Sequence, residues 1–184
     1  MFGLLWVTVT CCCCLVVFQE TANGVEEIEN WPNSMWVDWI AECFYVVNGV
    51  GMSVLPGVAA ASMLGFSSVV YGMALAASAF LFFPIAFVSL TDAGSVLIPF
   101  SPDVLVGAMR RPHVWVLFYL ETALLGFVFG GAFLCGLGLA AYLEFSLLFL
   151  LAVSVPTAIT IQGLTLVYFR LLGRVAHLAS VGAN

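Results

Sequence analysis

Residues 66–90, FSSVVYGMALAASAFLFFPIAFVSL, decide the fold, because 25 consecutive positions carry no charge. As an α-helix this run would rise about 37 Å, more than the roughly 30 Å hydrocarbon core of a bilayer. Lipid offers no hydrogen-bond partners to a peptide backbone, so a spanning segment must be a helix or part of a closed barrel. Barrel strands alternate apolar and polar residues over short segments. The stretch from Ala74 to Phe83 does not alternate, and the helix is therefore expected.

Working outward, four further segments share this character. Residues 2–18 are uncharged and, lacking the positive leader of a signal peptide, read as a short transmembrane helix. Residues 113–139 and 143–169 are two long apolar runs joined near Ala141 and Tyr142. Residues 43–64 are diluted by Asn48, Gly51 and Pro56, yet Gly49, Ser53, Gly57, Ala61 and Gly65 recur every four positions. That spacing lines small side chains along one helical stripe, where another backbone can approach closely. The segment counts as a crossing; as a re-entrant or surface helix it would reduce the total from five to four.

The connections are polar. An acidic loop is expected over residues 19–38, with Glu26, Glu27 and Glu29 ahead of Trp31, Trp36 and Trp39. Indole rings suit the headgroup level, and they equally suit packing against neighbouring helices. Residues 101–111 read as a short interfacial helix: Ser101 as cap, Pro102 at the first position, Asp103 at the positive end of the dipole, Arg110 and Arg111 at the negative end. Pro112 should stop it. The fold class is thus all-α, a single polytopic transmembrane bundle over residues 1–184.

Composition agrees. The chain is 64% hydrophobic and 8% charged, where globular domains carry roughly a quarter charged residues. Ten acids against four basic residues give a net charge of −6, which excludes a phosphate-backbone binder. The lipid bilayer is the expected environment. Arg110, Arg111, Arg170 and Arg174 fall on one side if the last two crossings form a hairpin, and the positive-inside rule makes that side, with the C-terminus, cytoplasmic. Arg110 and Arg111 are candidate anchors for anionic lipid headgroups.

Glu121 is the leading candidate for intramembrane chemistry, about 12 Å along its helix from His113. An ionisable group at that depth is costly and marks a functional site by default. Gln162 is expected at similar depth on the neighbouring crossing, and Arg170 at that helix's end could reach the carboxylate. A structural pairing of Glu121, Gln162 and Arg170 is preferred over an ion path, since transport sites gather more polar groups. The hydroxyls around Pro156 are expected to satisfy backbone groups that the proline frees. Gly126 and Gly130 form a GxxxG, a signal of close helix packing within the chain or with another subunit.

Cys11 to Cys14 are consecutive and point in different directions on a helix, so they cannot converge on one metal. They read as small apolar filler, and Cys43 and Cys135 as isolated thiols. His113 and His177 lie at membrane edges, without the paired-histidine or H-E-x-x-H spacing of haem or zinc sites. No catalytic or metal residues are assigned, and any cofactor is left unknown.

The segments LIPFSPDVL (residues 97–105) and YFRLLGR (168–174) resemble uncharacterised bacterial polytopic membrane proteins. That resemblance implies a bacterial cytoplasmic membrane and no particular activity. The expected function is a non-catalytic accessory or scaffold subunit of a larger membrane complex, with other membrane subunits as partners. The alternative is a small transporter or channel using Glu121.

Overall fold

The computed structural model describes residues 2–28, 31, 36–95, 98–142 and 147–181. These form six helices and no strand: α1 (Phe2–Ala22), α2 (Trp36–Leu64), α3 (Ser68–Asp92), α4 (Pro102–Arg110), α5 (Pro112–Tyr142) and α6 (Leu147–Val181). Among the described residues, three stretches are long and apolar enough to cross a membrane: Glu42–Leu64, Ser68–Asp92 and Pro112–Gly131. Trp6–Ala22 is a shorter apolar helix. The architecture is all-helical, as its composition demands, and its three long apolar helices fit a membrane protein.

Several boundaries differ from expectation. The acidic loop is shorter than residues 19–38, because α1 runs on to Ala22 and α2 begins at Trp36. The connection near Ala141 lies further on, since α5 continues through Tyr142; residues 143–146, with Glu144, are outside the described set. The backbone of α6 passes Pro156 unbroken and continues to Val181, beyond the end expected for the last crossing at residue 169. Polar residues at a helix end do not end the helix; they only change the surroundings it suits.

Three helices end on a glycine in the left-handed region: Gly24 (φ 80°), Gly65 (φ 62°) and Gly94 (φ 57°). After α1, Val25 N–H donates to the Glu20 carbonyl and Gly24 N–H to Thr21, the paired bonds of a Schellman cap. Gly65 therefore does not extend the small-residue stripe. It is exposed, a Cβ there would meet nothing within 4 Å, and its work is to turn the chain from α2 into α3.

The rest of the stripe packs. Ser53 and Ala61 are buried against α3, the helix that α2 contacts most. A Cβ on Gly57 would lie 2.7 Å from the Ser78 Cβ and 2.8 Å from the Ala74 carbonyl oxygen. One on Gly49 would sit 3.4 Å from the Phe83 ring. At the closest point the Ser78 hydroxyl enters the α2 ladder: Gly57 N–H donates to Ser78 Oγ (2.9 Å), which donates to the Ser53 carbonyl (2.7 Å). Pro56 lies alongside and has no N–H of its own to give. A second hydroxyl acts similarly on α3, where Tyr119 donates to the Leu81 carbonyl at 2.6 Å. Pro84 denies the adjacent Phe80 carbonyl its usual donor.

The core gathers where α1, α3, α5 and α6 meet. Phe87 packs edge-on against Phe18 (5.0 Å between centroids) and Phe169 (5.1 Å), and Phe118 and Trp115 close the cluster. Aromatic pairs at such spacings favour edge-to-face geometry. Gly173 brings α6 onto α1, since a Cβ there would be 2.7 Å from the Phe18 carbonyl oxygen.

Candidate functional site

The three intramembrane polar candidates are not brought together. Glu121 lies on the exposed face of α5, among exposed Leu117, Leu120 and Leu124, and no hydrogen bond or ion pair joins it to a described residue. Arg170 turns elsewhere and donates from Nη2 to the Glu26 carbonyl at 2.9 Å. Gln162 is half-buried, and no hydrogen bond links its amide to a described residue. The expected pairing fails because the arginine finds a carbonyl of the α1–α2 connection, already placed by α1 against α6.

Gly126 and Gly130 of α5 also depart from the packed stripe of α2. A Cβ on either would meet nothing within 4 Å among the described residues. Gly126 instead lines an apolar groove of about 470 Å³ bounded by α2, α3, α5 and α6, with Val50, Phe83, Thr122 and Tyr168 among its walls.

The N-terminal cysteines are more connected than expected. Cys12 and Cys14 are buried, as apolar filler should be. Cys12 also donates from Sγ to Glu42 Oε2 at 2.6 Å, tying α1 to α2. Cys43 is not isolated, because its thiol lies near that of Cys11. Cys135 has no described side chain. Among the described residues no three histidines, cysteines or carboxylates are grouped to hold a metal.

A polar concavity lies at the end of the bundle where α1, α3 and α6 finish. It is a cavity of about 660 Å³ between these helix ends and α4. Asp92 comes from the end of α3, Asp103 and Arg110 from α4, Arg111 from the α4–α5 link, Asn23 from the end of α1, and Trp115 from α5. Ser101 occupies the cap position of α4 but its hydroxyl makes no capping bond; its carbonyl instead accepts from Leu105 N–H. Arg111 is less a free lipid anchor than expected, since its Nη1 donates to the Leu178 carbonyl of α6 at 2.9 Å. Arg110 remains exposed. The Trp115 indole nitrogen is buried without a hydrogen-bond partner among the described residues. His177 supports the same end, in a 3.0 Å hydrogen bond between its Nδ1 and the Ala22 carbonyl.

Sequence reading found the arginines of this cavity and missed Asp92 and Asn23. Only tertiary placement brings those residues to α4; Gly24 and Gly94, which follow them, are the signals that could have marked the helix ends. Protein-family models, curated proteins and solved structures give no match to the chain.

Proposed function

We propose that the chain is a non-catalytic accessory or scaffold subunit of a larger membrane complex. The observation that carries this reading is Glu121, at the middle of the Pro112–Gly131 span and facing outward. A charge at the centre of a spanning helix costs about 2.5 kcal/mol or more, so such groups normally face a bundle interior or a partner. No described residue of this chain answers Glu121, and a neighbouring subunit with a basic or amide side chain at the same depth would do so. The groove around Gly126 lends further support, because small residues let a second helix approach closely.

In this reading the chain crosses the membrane five times and the arginine-bearing end is cytoplasmic, in keeping with the positive-inside rule. The setting proposed is a bacterial cytoplasmic membrane.

The test is native mass after mild extraction from the chain's own membrane. A larger assembly that dissociates on Glu121→Leu is expected. A wild-type chain that migrates alone would sink the proposal and return Glu121 to consideration as a transport carboxylate.

A further inference from the structure

The cavity at the arginine-bearing end has a charge pattern that neither a simple anion nor a simple cation fits. Two aspartates, Asp92 and Asp103, and two arginines, Arg110 and Arg111, line it. No ion pair joins these four among the described residues. A lone phosphate would meet two carboxylates, and a lone amine two guanidinium groups. A ligand carrying both charges leaves neither pair unanswered.

The helix ends sharpen this pattern. Asp92 is the last residue of α3, where the dipole already places partial negative charge. Its carboxylate is thus the group in the cavity most in need of a cation. Asp103 and Arg110 stand seven residues apart on α4, two turns along one face and about 10 Å along the axis. Flexible side chains leaning inward from these positions bracket a phosphate and an amine joined by a short linker. Trp115 contributes part of the cavity wall.

The surroundings identify the source of such a ligand. The cavity opens beside α4, whose Val106 and Met109 are exposed at the ends of long apolar helices. That is the headgroup level, where acyl chains can lie along apolar helix surface while the polar group turns inward. The volume lies within the range of small-molecule sites, about 300–1,000 Å³.

We propose that this cavity binds the headgroup of a zwitterionic amine phospholipid, a phosphoethanolamine group. Arg110, assisted by Arg111, takes the phosphate; Asp92 and Asp103 take the ammonium. The site is separate from the outward face of Glu121 and does not depend on the accessory-subunit reading.

The experiment is native mass spectrometry of the full chain from vesicles containing equal phosphatidylethanolamine, phosphatidylglycerol and phosphatidylcholine. Preferential retention of one phosphatidylethanolamine is expected, by about tenfold over the anionic lipid, the effect of one charge-assisted contact. Asp103→Asn should erase the preference, Arg110→Gln should reduce retention of all three lipids, and Arg110→Lys should restore it. Unchanged size-exclusion profiles will show that the variants fold, and Asp92→Asn provides a second removal of the amine partner. Equal retention of phosphatidylglycerol, or a preference that survives both aspartate changes, overturns the proposal. Soluble glycerophosphoethanolamine in tenfold excess over the phospholipid should fail to displace it. Displacement would overturn the assignment to lipid in favour of a soluble ligand of the same chemistry.

Discussion

The α2–α3 seam and the open glycines of α5 are written in the same residue alphabet and have opposite fates. On α2 the spacing Gly49, Ser53, Gly57, Ala61 meets α3 so closely that a single added carbon at Gly57 would fall within 3 Å of a backbone oxygen. On α5 the spacing Gly126, Gly130 meets no neighbour among the described residues. The difference is supplied by the opposite helix: α3 offers small Ala74 and Ser78 and a hydroxyl that bonds the α2 backbone. A small-residue stripe is permission for close approach; the reason to approach lies with the partner. In lipid, that reason is packing and hydrogen bonding rather than burial from water.

The largest effect expected of this contrast is at Gly57. Gly57→Ala should destabilise the chain by about 1–3 kcal/mol, because the carbon must displace backbone rather than a mobile side-chain tip. Thermal unfolding in a fixed detergent measures it, and a neutral result would mean the seam is looser than described. Gly173→Ala should act on the same scale where α6 meets α1, with the Phe18 carbonyl as the obstacle.

Ser78→Ala is expected to cost less, about 1 kcal/mol, since the Gly57 N–H and Ser53 carbonyl can rejoin once the hydroxyl is gone. Comparing it with Gly57→Ala separates the steric part of the seam from the hydrogen-bonded part. Gly126→Ala should be the mildest, raising stability of the isolated chain by about 0.5 kcal/mol through helix propensity alone. If the same change weakens a native assembly while sparing the isolated chain, the open glycines belong to a partner.

Hydropathy and punctuation made much of the fold legible. The uncharged run of residues 66–90 encloses nearly all of α3, and Ser101, Pro102 and Pro112 bracketed α4 closely. The ends of α1 and α6 were less legible, since Glu20 and Arg174 look like loop residues to a hydropathy argument and sit comfortably on a helix that has left the apolar layer. Pairing was not legible at all. Nothing in the sequence distinguishes Gly57 from Gly126, or singles out Ser78 and Tyr119 among many hydroxyls, because their targets are carbonyls on other helices. The cavity was half visible: its arginines stand out in a chain with so few, whereas Asp92 acquires meaning only once the end of α3 is beside α4.

The contact between the first and last helices has a consequence in time. The Ala22 carbonyl at the end of α1 meets His177 of α6, and the Glu26 carbonyl meets Arg170. During synthesis these two acceptors precede their donors by 155 and 144 residues. Helix α1 therefore waits for these two donors until α6 has been made. A chain cut short before α6 would lack these contacts and the α1 packing around Gly173, leaving an unfinished N-terminal helix by which quality-control proteases could recognise an abortive product.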